Sequence, residues 1–332
     1  MIRPRLHALA LLLALLLALG ACTAAPESDP GSRSERVVGI GCDAVDYADV
    51  RGPEPGKPNG GLRDHPVADA VCDAWWLDLA DDFVPQGLEL DARTAYVVGH
   101  RAGAVGHRLC QVAVVDLGSG RTSAFTGALD AGDGSQLCRH GGGAALTDAG
   151  LWVIQTGRLW LLDPDRIGRS DQVRRVWELA DEVRGSTIAA HDGQLVIAGY
   201  RPLGPGKARW YPEASVLAVG VTDLVESSAG SGQVAMAKAT RVPPRLQGLA
   251  FTPTGVPWHV ASRISCGLLH PAGRPRDFVP GAEDLVVTRD SIWVVSEASA
   301  SPYRDPGGAL VPRLLRLDRA AVLDSGPATC EF

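Results

Sequence analysis

FVPQGLEL at residues 83–90 and PPRLQGLAF at residues 243–251 carry the same phrase, apolar-Gln-Gly-Leu-x-apolar, with Gln86 and Gln247 161 positions apart. A looser alignment extends the pair to five copies. They read QGLELDARTAYVV from 86, GGAALTDAGLWVI from 142, STIAAHDGQLVIA from 186, QGLAFTPTGVPWHV from 247 and EDLVVTRDSIWVV from 283. Each joins a small or polar start to an apolar alternation, a turn rich in Asp, Gly, Thr or Pro, and a second β-rich run. That is the pattern of a hairpin. An aromatic residue lies ten positions beyond the start, from Gln86 to Tyr96, Gly142 to Trp152 and Glu283 to Trp293. Val196 takes that place after Ser186, and Trp258 comes one position late after Gln247.

Third strands are expected at CQVAVVDL (from 110), RLWLLD (158), SVLAVGV (215), CGLLH (266) and RLLRLD (313). Outer strands are read in VRRVWELADEV, QVAMAKATRV and WWLDLADDFV, each preceding an inner strand. The starts are 56, 44, 61 and 36 residues apart. Four-stranded sheets repeated at such spacings indicate an all-β chain folded as a β-propeller. The direct count is five blades, or six if residues 36–72 hold a degenerate blade. The unmatched strand at each end predicts a ring closed by residues 75–81, WWLDLAD, which would complete the C-terminal blade. A two-sheet sandwich with coincidental repeats is the competing architecture.

The N-terminus places the protein in the cell. Arg3 and Arg5 precede the apolar run ALALLLALLLAL (8–19), whose twelve residues fall short of the roughly 20 a membrane span needs. The run ends in LGAC, which resembles the lipobox of bacterial lipoproteins. The resemblance implies cleavage before Cys22 and acylation of that cysteine, anchoring an exported protein to the cell membrane; an ordinary cleaved signal is the alternative. More than one acyl chain makes such anchoring stable. The expected organisation is a signal peptide at 1–21, a lipidated Cys22 with a flexible tether to 35, an N-terminal segment at 36–74 and a propeller at 75–332. Extended, the tether residues 23–35 reach at most roughly 45 Å.

Without Arg3 and Arg5 the chain carries 30 basic against 38 acidic residues, a net charge of −8, which argues against a nucleic-acid partner. Lysine is confined to Lys57, Lys207 and Lys238, a bias of a GC-rich genome more than of a function. Beyond Cys22 there are six cysteines, an even number that in an exported chain reads as disulfides. Cys110 opens a third strand and Cys138 lies in the loop entering the next blade, so the two are expected to pair. Cys72 with Cys330, or Cys42–Cys72 with Cys266–Cys330, fit the remainder equally well.

PQGL, LQGL, GLWVI and SIWVV, spread over roughly residues 75–320, resemble the blades of secreted gluconolactonase-like and NHL-like propellers. Lactonases of that group hold a divalent metal in the central tunnel with acidic and amide side chains. Glu283, Gln86 and Gln247 echo that set without matching it residue by residue, so lactonase activity is not carried over. No nucleophile elbow, HExxH, P-loop or dinucleotide fingerprint is present. His100 and His107 in GHRAGAVGHR read as solvated loop histidines, His259 as a packed sheet histidine, and Asp116, Asp163 and Asp318 as turn formers.

In a propeller the inner strands ring a channel and their first residues converge at its mouth. Those places hold Gln86, Gly142, Ser186, Gln247 and Glu283, with His140, Thr187 and Asp284 beside them. The expected site is therefore Gln86, His140, Ser186, Thr187, Gln247, Glu283 and Asp284. Its oxygens suit a hard cation such as Ca²⁺ or a small polar ligand. Long loops at 200–214 and 297–312 gather on the same face, with Tyr200, Arg201, Lys207, Arg209, Trp210, Tyr211, Tyr303 and Arg304 suited to sugars, anions or a protein partner. Two functions follow: a membrane-anchored binding or scaffold module for a small polar ligand, glycan or protein, and a metal-dependent hydrolase or lactonase working in the channel.

Overall fold

A computed structural model describes residues 49–53, 65–103, 108–131, 136–179, 185–199, 217–226, 242–243, 245–304 and 310–331. Cys22, the tether, Cys42, His107, the loop at 200–214 and the strand expected at 233–242 lie outside these residues.

Strand β1 (Val71–Trp75) comes first in the chain but belongs to the last sheet. Blade 1 is β2 (Phe83–Asp91), β3 (Thr94–Arg101), β4 (Cys110–Asp116) and β5 (Thr122–Phe125). Blade 2 is β6 (Gly141–Thr147), β7 (Gly150–Gln155), β8 (Arg158–Leu162) and β9 (Val173–Glu178). The described part of blade 3 is β10 (Thr187–His191), β11 (Gln194–Ala198) and β12 (Leu217–Gly220). Blade 4 is β13 (Leu246–Phe251), β14 (Pro257–Arg263), β15 (Cys266–His270) and β16 (Arg276–Phe278). Blade 5 is β17 (Ala282–Val287), β18 (Ser291–Ser296) and β19 (Leu314–Asp318), with β1 as its outer strand. Neighbouring strands within every sheet are antiparallel. The inner strands β2, β6, β10, β13 and β17 pack in that order, and β17 returns to β2. The protein is a five-bladed β-propeller, and no sixth blade is needed to close it.

The repeated aromatics hold the ring together. Five apolar clusters lie one at each blade interface, and each contains the residue ten or eleven positions past its repeat start. Tyr96 packs between blades 1 and 2 and Trp152 between blades 2 and 3. Val196 lies between blades 3 and 4, Trp258 between 4 and 5, and Trp293 between 5 and 1. A blade buried on both faces needs apolar residues on both sides of its strands, so β17 and β18 are buried at every position. Burying one large side chain is worth roughly 2–3 kcal/mol, and the repeat supplies such a residue at four of five interfaces. The short hairpin between β10 and β11 turns on Asp192 and Gly193, both at positive φ (47° and 70°), as a two-residue turn requires.

Closure differs in register from the expectation. The closing strand is Val71–Trp75, not 75–81, and Asp73 faces Arg316 on β19. The Asp73 carboxylate takes Arg316 Nε at 2.7 Å on one oxygen and Arg51 Nη1 at 2.7 Å on the other. Trp75 stacks on Trp293 with ring centroids 5.4 Å apart, and its indole N–H donates to the Leu117 carbonyl of blade 1 at 3.1 Å. Past β12 the expected strand gives way to helix α1 (Val221–Glu226), and past β19 comes α2 (Arg319–Asp324). Neither helix is long and apolar enough to cross a membrane.

Cys110 pairs with Cys138 and Cys266 with Cys330, and Cys72 is also disulfide-bonded. The three aspartates do form turns: Asp116 accepts from the Ser119 N–H, Asp163 from that of Asp165, and Asp318 caps α2 through the Ala321 N–H. His259 lies opposite His270 across β14 and β15. His100 is a correction, since it sits inside β3 and is 0% exposed rather than solvated.

Candidate functional site

Four inner strands carry a register shift at the same place: between Pro85 and Gly87, Gly141 and Gly143, Leu246 and Gly248, and Ala282 and Asp284. The residues skipped are Gln86, Gly142, Gln247 and Glu283, which are four of the five repeat starts. A bulge leaves one residue unpaired and re-aims its side chain, so the repeated phrase is the sequence of an inner-strand bulge. The glycine after each glutamine answers a second demand. A Cβ on Gly87 would lie 2.7 Å from the backbone carbon of Gly143 in blade 2, and one on Gly248 would lie 2.8 Å from Cα of Asp284 in blade 5. Only glycine lets adjacent inner strands approach so closely.

The next residues tie blade to blade. The Leu88 N–H donates to Asp284 Oδ2 at 3.0 Å, and the Leu249 N–H donates to Thr187 Oγ1 at 3.1 Å. The Leu146 N–H donates to Glu89 Oε2 at 3.2 Å. Thr187 and Asp284 thus serve neighbouring inner strands. The Ser186 hydroxyl stays within its own blade, donating to the Ala198 carbonyl at 3.3 Å.

The bulge side chains make a different set of bonds. Gln247 Nε2 donates to Glu283 Oε1 at 2.8 Å, and Gln86 Nε2 donates to Glu297 Oε2 at 2.9 Å. The Glu283 and Glu297 carboxyls are hydrogen-bonded to each other. One chain of bonds therefore runs Gln247–Glu283–Glu297–Gln86 through side chains of blades 4, 5 and 1. Burial raises Glu283 well above the ordinary carboxyl range, and the adjoining Glu297 adds to the effect. Burial lifts Glu297 to about 7, while hydrogen bonds from Glu283 and Gln86 work the other way. With both carboxyls raised and hydrogen-bonded to each other, the buried pair favours holding one proton between them over carrying two charges. Both amides are anchored through nitrogen, because carboxyl oxygens accept, which leaves the two Oε1 atoms as acceptors.

Around this chain stand Tyr303, raised by burial to about 12 and so un-ionised, and Arg108, whose charge acts on Glu297, Tyr303, His100 and His140. His140, half-buried at a positive φ of 59°, stacks on His100 with ring centroids 4.6 Å apart. It makes no hydrogen bond to the carboxyl pair. Of the expected site residues, the fold joins Gln86, Gln247 and Glu283 directly and sets His140 to one side.

Glu297, Tyr303 and Arg108 were not singled out for the channel by sequence. Glu297 sits one residue past the end of β18 in SIWVVSEAS, and its signal is a lone acid where a blade's second strand leaves on the long-loop face.

Among the described residues no three His, Cys, Asp or Glu side chains come together as a metal-binding group. Glu283 and Glu297 are engaged with a shared proton and with amide nitrogens. The several oxygen ligands a hard divalent cation needs are not assembled here, so the residues do not fit the metal that the lactonase resemblance implies.

No family model matches the sequence, and no curated protein matches it. Solved structures do. Glutaminyl cyclase from Myxococcus xanthus aligns at 16% identity and a TM-score of 0.45, covering 73% of this chain and 94% of its own. The PQQ-bound aldose sugar dehydrogenase from Streptomyces coelicolor aligns at 14% and 0.46, covering 75% and 97%. Hydrazine synthase from Kuenenia stuttgartiensis aligns at 11% and 0.36, covering 70% and 74%.

Proposed function

We propose that the protein is an exported, lipid-anchored propeller that binds a small polar molecule at the mouth of its central channel. The observation that carries this reading is the buried Gln247–Glu283–Glu297–Gln86 chain, assembled from three blades by strand bulges. Asp284 and Thr187 are satisfied by backbone N–H groups of neighbouring inner strands, a structural role. This chain instead presents two unengaged amide oxygens, a proton-sharing acid pair and a neutral phenol close together. Donors and acceptors side by side with little net charge suit a polyhydroxyl compound, such as a sugar or polyol, better than a bare cation. The disulfides accord with export to an oxidising compartment. Anchoring through Cys22 belongs to the same proposal.

The test is a thermal-shift panel of sugars, polyols and divalent metals on wild type and on Gln86→Leu combined with Glu283→Leu, with circular dichroism to check folding. The expected result is a shift with a polyhydroxyl compound that a folded double variant loses. A folded variant that keeps every wild-type response would overturn the reading. A stoichiometric divalent ion in purified wild type, lost in the variant, would replace it with the metal-dependent hydrolase.

A further inference from the structure

Beside the acid pair, Arg108 and two histidines come together in a corner that the acid pair does not explain. The Cys110–Cys138 disulfide joins the segment before β4 to the segment before β6. Backbone bonds reinforce the join: the Cys110 N–H donates to the Cys138 carbonyl at 3.0 Å, and the His140 N–H to that of Arg108 at 2.8 Å. Leu109 and Arg139 form an isolated bridge between them. The result sets Arg108 and His140 side by side on pinned backbone, with His100 stacked behind His140.

Three facts give this corner its chemistry. No carboxylate among the described residues forms an ion pair with Arg108. His100 is 0% exposed, yet neither of its ring nitrogens has a hydrogen-bond partner among the described residues. Burial and then the neighbouring His140 and Arg108 hold His100 down to about 3, and burial and then the Arg108 charge lower His140. A guanidinium with no ion pair among the described residues, beside a buried imidazole with unfilled hydrogen-bond capacity and a second, half-buried one, is the complement of an oxyanion.

We infer that Arg108 and His140, backed by His100, form an oxyanion subsite next to the acid pair. This rests on the reading of the channel mouth as a polar-ligand site and narrows the ligand to a polyhydroxyl compound bearing a carboxylate or phosphate. Arg108 acts on Glu297 and Tyr303 as well as on both histidines, so one guanidinium connects the two halves of the site. The oxyanion contacts Arg108 and His140. His100 is a positioning residue, its ring fixing the plane of His140 through the stack.

Anion binding reverses the local field, so His140 takes up a proton and binding weakens as pH rises. The groups that share this field are Arg108, His100, Glu297 and Tyr303.

Histidine-labelled protein titrated with inorganic phosphate and, separately, with acetate tests the subsite by imidazole NMR. Millimolar probe is expected to move the His140 and His100 resonances and to raise the His140 titration midpoint by a pH unit or more, roughly a tenfold linkage. Arg108→Gln should abolish both effects, and Arg108→Lys should keep most of them. A larger response to acetate identifies a carboxylate ligand, and a larger response to phosphate a phosphorylated one. Indifference of the wild-type imidazoles to both probes, or an Arg108→Gln response equal to wild type, would overturn the subsite. If these effects appear while the polyhydroxyl panel fails, the channel-mouth reading falls and the subsite stands. The reverse pattern removes the subsite alone.

Discussion

Asp73→Ala is expected to lower the unfolding free energy by about 3–5 kcal/mol, because it takes the carboxylate from the buried Arg316 guanidinium. The pair does more than join two strands. β1 is separated in sequence from the rest of its blade by the whole ring, and Asp73 on it faces Arg316 on β19. Arg51 on the second oxygen and the Trp75–Trp293 stack belong to the same latch. Losing the carboxylate therefore weakens the contact that converts an open arc of sheets into a ring. Urea unfolding followed by tryptophan fluorescence reads the change, since Trp75 and Trp293 report on the latch directly. A loss below about 1 kcal/mol, the range of exposed ion pairs, would mean that the latch is not what closes the ring. Asp73→Leu with Arg316→Met should recover much of the loss, because an apolar pair leaves no buried charge behind.

Raising the pH from 6.5 to 9 is expected to cost roughly 2 kcal/mol of stability or more, an unusual direction for an acidic protein. Burial lifts Glu89 and Glu297 to about 7 from an ordinary value of 4.5, and also raises Glu283 and Asp284 well above the ordinary carboxyl range. The folded protein then holds protons that the unfolded chain has already released, and stability falls as pH climbs through the folded values. Most of the cost of Glu89 and Glu297 falls between pH 4.5 and about 7, so roughly 1 kcal/mol of each is left to lose above pH 6.5. His100 at about 3 and His259 at about 4 act oppositely, adding stability as pH rises toward 6.5 and nothing above it. The two sets oppose each other between about 4.5 and 6.5, and above 6.5 the carboxyls act alone. Denaturant midpoints at pH 6.5 and 9 should differ clearly, and Glu297→Gln should remove one group's share of the difference. Equal midpoints would show that the carboxyls are not buried as described.

The architecture was legible because propeller blades repeat their physical requirements. A glycine where inner strands touch and an aromatic at the following interface recur at nearly constant spacing, so Gly87, Gly248, Trp152 and Trp293 announce their roles. The outer strands β5 and β16 left no such trace. Thr122–Phe125 is half exposed and Arg276–Phe278 is three residues long, so neither shows a sustained apolar pattern. The closing strand was displaced because WWLDLAD alternates well, whereas the true strand holds a charge, Asp73, that makes sense only beside Arg316.

The site was half legible for a related reason. Convergence of the repeat starts follows from topology, and Gln86, Gln247 and Glu283 obey it. The residue after a repeat start, however, turns toward the neighbouring strand's backbone, which is why Asp284 and Thr187 bond to Leu88 and Leu249 instead of facing a ligand. Glu297 lies outside the repeat altogether, in a loop whose path no periodicity encodes. His100 was misread because its Gly-rich neighbourhood hides the fact that β3 runs through Arg101.

The central claim is that two glutamates share a proton at the channel mouth. Carboxyl-carbon NMR of glutamate-labelled protein, with Glu283→Gln and Glu297→Gln assigning the signals, measures it most directly. The account predicts that the pair titrates in two steps, both above the ordinary carboxyl range and one of them near 7, and that either substitution collapses them to one. Titration of every glutamate carboxyl between about 4 and 5, unchanged in both variants, would contradict it.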